Sequence, residues 1–448
     1  MTTYTEIDLP PALPDIELAK QILSRLFLNF DGSLRIFLWD GSVVDLGHEA
    51  PAFSLVFRSA KAFRGLVLAR DPLCLVESYF KELIDIDGDL YCALKLRHHL
   101  SSLQLSLTEK TGLAAKALRI KQDKTAATGS DAPRWTQTIG QKLGLESSKK
   151  LNRKAISFHY DASNDFYKLW LDEQMLYSCA YYEDVDQSLE QAQRNKLEHI
   201  CRKLRLNSGE RLLDIGCGWG ALICWAAEHY GVIAHGITLS QNQYDYTQCM
   251  IKHRGLEQKV SVELLDYRDL QGEAEYDKLV SVGMFEHVGL KNLPSYFAIA
   301  QRLLKPGGLF LNHGITSDEG GWKKSVATEF INRYVFPDGQ LETISTVQQL
   351  MEDARLEIHD VEGLRQHYAR TLREWVRRLE LSQEEALQYV SESTYRIWRL
   401  YMAASAQQFE EGCTGIYQIL ASRREPFSKP VPLTRRDLYE QPCSIRNN

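Results

Sequence analysis

The chain has no uninterrupted apolar run of the roughly eighteen residues that a membrane-spanning helix requires. Its first twenty residues also lack the basic segment and the following apolar segment of a secretory signal peptide. These two absences predict a cytoplasmic protein with no helix across a bilayer.

Cysteine pairs at metal-binding spacing are missing as well. The nine cysteines are scattered over 448 residues, with no CxxC pair and no histidine cluster at zinc spacing. We therefore expect reduced thiols and no structural metal. The remaining composition, with 44% hydrophobic and 25% charged residues, is ordinary for a globular protein of two or three domains.

The net charge of −6 conceals one strongly basic stretch. Between Lys110 and Lys154, eleven basic residues accompany three acidic ones, which gives a local net charge of +8. Such a block is typical either of a solvated linker or of a surface that meets lipid or nucleic-acid phosphates. The polar run KQDKTAATGSDAPRW inside it indicates a linker. The sequence thus predicts an N-terminal domain over residues 1–120, a basic linker over 121–147 and a second domain over 148–448.

The N-terminal domain has the pattern of an α+β fold. IELAKQILSRLF has helical spacing, and GSLRIFLWDGSVVDLG is typical of a hairpin that turns at Asp40-Gly41. Residues 71–103 have a mainly helical pattern with a turn at Asp87-Gly88. No catalytic constellation is evident in this domain.

A strand, a glycine loop and a helix open the central part of the second domain, in GERLLDIGCGWGALICWAAEHY. The spacing of Gly216, Gly218 and Gly220 is one residue tighter than the dinucleotide fingerprint G-x-G-x-x-G. This difference favours S-adenosylmethionine, which has no pyrophosphate to place on a helix N-terminus. Asp214, just before the loop, is suited to orienting the ammonium group of its methionine part.

Further strands, VIAHGIT, VSVELL, KLVSVGM and GLFLNHGI, follow at regular intervals between helical stretches such as SYFAIAQRLL. This alternation predicts an α/β fold with a doubly wound parallel sheet. Ligands of such sheets collect at the carboxyl ends of the strands. Those ends carry polar residues, namely Asp214, Thr238, Asp266-Tyr267, Glu286 and His313.

With these motifs in place, the chain resembles the cyclopropane fatty acid synthase family of S-adenosylmethionine-dependent methyltransferases, which includes the mycolic acid cyclopropane synthases. The resemblance runs from about Ser157 to Arg423. It rests on HYDASNDFY, LYSCAYY, LDIGCGWG, GITLSQNQ, DYRDL, SVGMFEHVG, LKPGGLFLNHGIT and, more loosely, HYARTLREW. It implies a class I (Rossmann-like) methyltransferase fold, and the N-terminal part is similar to the smaller domain that precedes the catalytic domain in many cyclopropane synthases.

The resemblance implies chemistry on the cis double bond of an acyl chain. The alkene takes the methyl group of the sulfonium, and a base then removes a proton from that methyl as the ring closes. The site must exclude water, which would trap the intermediate cation as an alcohol, and aromatic faces stabilise such a cation. Aromatic candidates near the motifs are Phe158, Tyr160, Phe166, Tyr167, Tyr181 and Tyr182.

In this family the proton acceptor is a bound bicarbonate. An ionised Glu286 is expected to accept from its OH group, while His313, Tyr368 and backbone N–H groups donate to its anionic oxygens. The residues that match the family's bicarbonate cradle are Glu286, Cys179, His313, Ile315 and Tyr368. Without the resemblance, Cys179 and His313 are equally well explained as packing residues.

The resemblance also implies a set of cofactor contacts. The second strand ends in Thr238-Leu239-Ser240 where many methyltransferases of this fold have an acid that binds the ribose. The residues that match the cofactor contacts are Tyr177, Ser178, Asp214, Gly216, Gly218, Thr238, Leu239, Gln243, Tyr267 and Arg268.

Three positions leave questions open. His287 adjoins Glu286, but consecutive strand residues point to opposite faces, so we expect His287 to support the turn. The family commonly has threonine where this chain has Gly314, which predicts a looser strand end. Ser405 stands where the enteric bacterial relative has a further cysteine. Ser405 lies within residues 383–417, which have the pattern of long helices.

The expected partners are unsaturated phospholipids at the inner face of a membrane, reached by peripheral attachment through the N-terminal domain and the basic linker. No nucleic-acid partner is expected, and a homodimer is one possibility because the family includes dimers. Three rival functions remain: a methyl- or methylene-branching fatty acyl methyltransferase, a small-molecule N-methyltransferase and an inactive lipid-binding protein. The retained site residues weigh against the last, and the N-terminal domain weighs against the N-methyltransferase.

Overall fold

The computed structural model describes residues 14–69, 72–121, 163–321, 326–336, 339–427 and 431–439. The chain divides into two compact units, the first formed by residues 1–139 with 392–400 and the second by residues 140–391 with 401–448. Most of the predicted basic linker lies outside the described residues.

The first unit contains a four-stranded sheet in the order β2-β1-β3-β4. The predicted hairpin is confirmed, with β1 antiparallel to β2 and Gly41 at φ +88° in the turn. Its strands are β1 (Leu34–Phe37), β2 (Val43–Leu46), β3 (Phe53–Phe57) and β4 (Ile84–Gly88), and its helices are Pro14–Leu26, Ala60–Ala69, Pro72–Phe80, Leu90–Leu94, Leu96–Ser102 and Leu107–Arg119.

The mainly helical prediction for residues 71–103 is wrong at β4. This segment pairs antiparallel with β3, with Leu55 opposite Ile86 and Phe57 opposite Ile84. The alternation of Ile84 and Ile86 with acidic residues suits a strand with one buried face, but it is too short to stand out between two helical patterns.

The second unit is built on a seven-stranded sheet in the order β10-β11-β9-β8-β5-β6-β7. The pairs of β5 to β9 are parallel, whereas β11 pairs antiparallel with both β9 and β10. The strands are β5 (Arg211–Ile215), β6 (Ile233–Thr238), β7 (Val260–Leu264), β8 (Tyr276–Val282), β9 (Leu304–Ser317), β10 (Leu356–Gly363) and β11 (Thr414–Arg423).

Helices cover both faces of this sheet, so the predicted α/β doubly wound architecture is confirmed. Leu212 of β5 packs in a core with the helix Ala221–Tyr230, whereas its neighbour Leu213 packs in a second core with the helix Leu293–Leu303. The remaining helices are Asn164–Lys168, Leu189–Lys203, Gln241–His253, Val326–Tyr334, Ile344–Asp353, Arg365–Leu381, Gln383–Tyr389, Glu392–Glu411 and Arg436–Tyr439, and the 3₁₀ helices are Tyr267–Asp269, Phe285–His287 and Leu290–Asn292.

The helical prediction for residues 383–417 is wrong at its end. The helix Glu392–Glu411 stops before Gly412, which has φ +86°, and β11 begins at Thr414. A left-handed glycine is a common helix terminator, and the following run TGIYQILASR is rich in residues that favour strands.

Candidate active site

The glycine loop follows β5 and turns sharply into the helix Ala221–Tyr230. The N–H groups of Gly216 and Cys217 both donate to the carbonyl oxygen of Ile237 at the end of β6, at 3.0 Å. Gly220 has φ +82°, and a Cβ atom there would lie 2.4 Å from the Thr247 side chain. Glycine is therefore required both by the backbone conformation and by the close approach of the next helix.

A first cavity, of about 130 Å³, lies against this loop. Nine of the ten predicted cofactor residues line it: Tyr177, Ser178, Asp214, Gly216, Gly218, Thr238, Leu239, Gln243 and Tyr267. The tenth, Arg268, does not line it. Its guanidinium binds both carboxylate oxygens of Asp266, at 2.9 and 2.6 Å, and lies over the Tyr267 ring.

The end of β6 supplies a neutral polar wall of the first cavity. Thr238 Oγ1 donates to Gln243 Oε1 at 2.7 Å, and the Ser240 side chain caps the helix Gln241–His253 by accepting from the Gln243 N–H. The cap fixes the first turn of the helix. Gln243 is therefore held in the wall of the first cavity, beside the end of β6.

Asp214 provides a buried carboxylate in the first cavity. It is 3% exposed, and its Oδ1 atom has no hydrogen-bond partner among the described residues. Burial raises the pKa of Asp214 to about 7, although the nearby Lys196 opposes this shift. An unpartnered buried acceptor fits the ammonium group of S-adenosylmethionine.

A second cavity, of about 330 Å³, adjoins the first. Five residues line both cavities: Tyr177, Ser178, Val282, Gly283 and His287. All five predicted catalytic residues, Glu286, Cys179, His313, Ile315 and Tyr368, line it. The structure thus brings together residues that are up to 189 positions apart in the chain.

Glu286 lies in the 3₁₀ helix that follows β8. Its Oε1 atom accepts from the Ile315 N–H at 2.7 Å, whereas its Oε2 atom has no partner among the described residues. Burial raises the pKa of Glu286 to about 7. The carboxyl group is therefore held by one oxygen and leaves the other for a ligand.

His313 lies on β9, directly opposite Gln418 of β11. Its Nδ1 atom is 3.3 Å from Gln418 Nε2, and its Nε2 atom is buried without a partner in the part of the chain that the structure describes. Burial lowers the pKa of His313 to about 3, so the ring is neutral at pH 7. With the Gln418 amide donating to Nδ1, the ring proton lies on Nε2, which is then a donor.

Cys179 and Tyr368 complete the set of predicted catalytic residues. Cys179 is fully buried, and its Sγ lies 3.9 Å from the Leu364 carbonyl oxygen. Burial raises the pKa of Cys179, so the group is a neutral thiol and not a nucleophilic thiolate. The Tyr368 ring packs 4.8 Å from the Phe409 ring.

The expectation that His287 only supports the turn is wrong, because His287 lines both cavities. Residues 285–287 form a 3₁₀ helix, so the two-residue alternation of a strand does not apply to them. The His287 ring lies 4.9 Å from Phe336 in an edge-to-face arrangement, and burial lowers its pKa to about 4. A neutral imidazole therefore stands where the two cavities meet.

The glycine at position 314, from which a looser strand end is predicted, lies beside an aromatic ring. Gly314 pairs with Tyr417 within the β9–β11 ladder. A Cβ atom there would lie 1.9 Å from the Phe285 ring and 3.1 Å from Glu286 Oε1. The Phe285 ring thus occupies the space that a side chain would need, and it packs the strand end from the side of Glu286.

The aromatic candidates that lie in the described part of the chain, Phe166, Tyr167, Tyr181 and Tyr182, line neither cavity. Phe158 and Tyr160 lie outside the described residues, Phe166 and Tyr167 pack against Trp170, and Tyr181 stacks between His199 and His367. The described rings pack against neighbouring aromatic side chains. The spacing of aromatic residues in the sequence does not show which rings pack in this way. The aromatic residues that line the second cavity are Tyr177, Phe330, Phe336, Tyr368, Tyr401 and Phe409.

Two residues of the helix Leu189–Lys203 were missed by sequence reasoning. Gln193 donates to the carbonyl oxygens of Leu176 and Ser178, at 3.2 and 3.1 Å, and Lys196 donates to Ser178 Oγ at 2.7 Å. Both lie on the buried face of the helix, where polar residues are uncommon. The sequence does show two polar residues on the apolar face of this helix, but it does not show which segment their side chains contact.

Comparison with known proteins agrees with this geometry. The profile of the family described as mycolic acid cyclopropane synthetase matches residues 147–419. A probable fatty acid methyltransferase of Pseudomonas putida is 39% identical over 96% of this chain and 99% of its own length. The cyclopropane-fatty-acyl-phospholipid synthase of Escherichia coli is 40% identical over 59% of this chain and 66% of its own.

Solved structures give the same result. The mycolic acid cyclopropane synthase CmaA1, in complex with SAH and CTAB, superposes with a TM-score of 0.57 and 33% identity over 60% of this chain and 98% of its own. The class I methyltransferase fold is therefore confirmed, and S-adenosylmethionine is the cofactor. The chain belongs to the mycolic acid cyclopropane synthetase family and is an S-adenosylmethionine-dependent methyltransferase.

Proposed function

We propose that the protein transfers the methyl carbon of S-adenosylmethionine to the cis double bond of an unsaturated fatty acyl chain and closes it to a cyclopropane. The observation that carries this proposal is the pair of adjoining cavities. The first cavity is lined by nine of the ten predicted cofactor residues. The second cavity is larger and mainly apolar, and the unpartnered Glu286 Oε2 and His313 Nε2 atoms belong to residues that line it.

The reaction needs the alkene close to the sulfonium methyl group. The alkene carbon forms a bond to that methyl as its bond to sulfur breaks, which leaves S-adenosylhomocysteine and a cation on the acyl chain. Loss of a proton from the transferred methyl then allows its carbon to bond to the cationic carbon. Tyr177 and His287, which line both cavities, are placed at the boundary that the methyl group crosses.

Bicarbonate is proposed as the proton acceptor, and the residues present fit it. Glu286 Oε2 is an unpartnered acceptor for its OH group, and His313 Nε2 is an unpartnered donor for an anionic oxygen. Tyr368 supplies a phenol at the same cavity. The Ile315 N–H is already bound to Glu286 Oε1, so it holds the carboxylate in place. When bound, bicarbonate would supply the base that takes the proton from the transferred methyl group.

The reaction is tested by incubating the protein with S-adenosylmethionine and liposomes of a cis-unsaturated phospholipid. Mass alone does not separate a cyclopropane from a methylenated chain, because both gain one CH₂ group. We expect upfield ring-proton signals in the proton NMR spectrum of the product. Persistent vinyl signals on a chain that has gained carbon would contradict ring closure.

A methyl- or methylene-branching fatty acyl methyltransferase is the second candidate. It is supported by the Pseudomonas putida relative, whose name is probable fatty acid methyltransferase and which matches nearly the whole chain. The Escherichia coli cyclopropane synthase matches a smaller share. Both products require the same methyl transfer. Proton loss with ring closure gives the cyclopropane, whereas proton loss that leaves a double bond gives a methylene or a methyl-branched alkene, so the NMR experiment also decides between them.

Phospholipids in a membrane are proposed as the substrate, with peripheral attachment at the basic stretch. Within the part of the chain that the structure describes, no helix is long and apolar enough to cross a membrane. Lys149, Lys150, Arg153 and Lys154 lie outside the described residues. We expect neutralising these four to weaken co-sedimentation with anionic liposomes, because each well-placed cation contributes about 1 kcal/mol. Unchanged co-sedimentation would exclude this stretch as the contact.

A further inference from the structure

A buried ammonium group lies in the wall of the first cavity. Lys196 is 1% exposed and is among the largest fully buried side chains of the described residues. Its Nζ atom donates to Ser178 Oγ at 2.7 Å, which uses one of its three N–H groups. Burial of a lysine is costly unless its charge is compensated, so its position calls for a functional reason.

Asp214 places a buried carboxyl group in the same cavity. Burial lowers the pKa of Lys196 to about 8 and raises the pKa of Asp214 to about 7, while each partly offsets the shift of the other. Among the described residues, neither a hydrogen bond nor an ion pair within 4.0 Å joins them. The two groups therefore line one cavity without direct contact. The carboxylate of Asp172 offsets the lowered pKa of Lys196 more than Asp214 does.

The methionine part of S-adenosylmethionine carries the complementary pair of charges. Its α-ammonium group is a cation and its α-carboxylate is an anion, on neighbouring atoms. We propose that Lys196 binds the α-carboxylate of the cofactor while Asp214 receives its α-ammonium group. The protein would then recognise the zwitterion with a buried acid and a buried base, each of which gains its missing partner on binding.

A purely positioning role is the alternative. Lys196 could act only through Ser178, as Gln193 acts through the backbone of the same segment. Lys196 also lies near Asp172, whose carboxylate accepts from the N–H groups of Gln174 and Leu176. Both roles predict weaker cofactor binding when Lys196 is replaced, so the test must depend on the carboxylate itself.

Decarboxylated S-adenosylmethionine provides that test, because it keeps the sulfonium, the amine and the adenosine but lacks the carboxylate. We expect calorimetry to show that the unaltered protein binds S-adenosylmethionine at least tenfold more tightly than the decarboxylated compound. Lys196→Met should lose at least tenfold in affinity for S-adenosylmethionine and less than threefold for the decarboxylated compound. Lys196→Arg, which keeps a cation, should retain part of the selectivity.

Lys203→Met is the matched control, since Lys203 is also 1% exposed and lies on the same helix but binds Asp360 and Glu362 and does not line the first cavity. It should leave the selectivity between the two compounds unchanged. Equal losses for both compounds in Lys196→Met would assign Lys196 to positioning and overturn the proposal. Equal affinity of the unaltered protein for both compounds would overturn it even if no variant folds. The role of Lys196 concerns cofactor binding and does not depend on which acyl product is formed. A negative result in calorimetry is therefore distinguishable from a negative result in the NMR analysis of the product.

Discussion

At the scale of single residues, the candidate site combines titratable groups whose pKa values are shifted by burial. Burial raises the pKa of Glu286 to about 7 and lowers the pKa values of His313 and His287 to about 3 and 4. The imidazoles are therefore uncharged at pH 7, and Glu286 is divided between its two forms. Such shifts are frequent at active sites, because the surroundings that exclude water also disfavour charge.

The Glu286→Gln variant tests the role of the carboxylate in catalysis. Gln keeps an oxygen that can accept from the Ile315 N–H but cannot carry a negative charge. We expect turnover to fall by about 10²-fold or more while the affinity for S-adenosylhomocysteine changes by less than about threefold. An equal loss in both quantities would place Glu286 in cofactor binding. Circular dichroism is the control for the fold.

The same variant makes a prediction about stability. The pKa of Glu286 is raised from 4.5 to about 7 in the folded protein. The contribution of this carboxyl group to the free energy of unfolding is therefore present at low pH and is lost as the pH rises through 7. The glutamine of Glu286→Gln cannot ionise, so the variant avoids this loss of unfolding free energy, which reaches about 3 kcal/mol at pH 8. We expect the melting temperature of the variant, relative to the unaltered protein, to be higher at pH 8 than at pH 5. A pH-independent difference would mean that the carboxyl group titrates normally.

At the scale of elements, the end of β9 is the part of the site where most contacts converge. This strand carries His313, Gly314 and Ile315, and it is paired on one side with β8 and on the other with the antiparallel β11. β8 leads into the 3₁₀ helix of Glu286, and β11 supplies Gln418. The site is thus fixed by a ladder of backbone hydrogen bonds, which holds side chains more firmly than loops do.

Gly314→Thr introduces the threonine that the family resemblance leads us to expect at this position. Its Cβ atom would meet the Phe285 ring, so we expect a loss of stability of about 1–3 kcal/mol from overpacking together with reduced turnover. Combining it with Phe285→Leu should recover part of the stability, since the smaller side chain vacates the space. Denaturant unfolding of the two single variants and the double variant measures this coupling. Additive losses would show that the two positions do not compete for the same volume.

Gln418→Met removes the amide that faces His313 Nδ1 while keeping a similar volume. The ring is then free to place its proton on either nitrogen, so we expect turnover to fall about tenfold with an unchanged affinity for S-adenosylhomocysteine. Gln407→Met is the control, because Gln407 is also buried but is not the residue opposite His313. Nitrogen NMR of the His313 ring would report the tautomer directly. The same tautomer in both proteins would refute the positioning role of Gln418.

At the scale of the whole molecule, the arrangement that matters is the pair of cavities in the second unit. The first is lined by the glycine loop, and the second is lined by residues from β9, from the helix Arg365–Leu381 and from the end of the helix Glu392–Glu411. That helix contributes Tyr401, Ala404 and Ser405 to the second cavity. Cofactor and acyl chain would therefore bind in separate spaces that meet at one boundary.

Ala404→Phe tests whether the second cavity receives the acyl chain. The larger ring would fill part of a space that the first cavity does not share, so we expect the KM for the phospholipid to rise about tenfold while the Kd for S-adenosylhomocysteine is unchanged. Leu387→Phe, at an exposed position in the helix Gln383–Tyr389, controls for added bulk. An unchanged KM would place the acyl chain elsewhere.

Much of the fold was predictable because its signals are local. Each short segment contains its own pattern, such as the alternation of a strand, the glycine loop or a polar residue at a strand end. Together these patterns predicted the doubly wound sheet and the edge where its ligands collect. β4 escaped detection because five residues are too few for a period to show. β11 escaped because its antiparallel insertion between β9 and β10 is a long-range pairing.

The candidate site divides in the same way. The sequence by itself determined the order and spacing of the motifs, and hence the family, the cofactor and the residues that match its cradle. The tertiary structure alone decided that His287 reaches both cavities, that the Phe285 ring fills the place of a side chain at Gly314, and that Lys196 shares a cavity with Asp214. The physical reason is that such contacts depend on how elements that are distant in the sequence pack together. The local pattern of a short segment does not specify which distant element will pack against it.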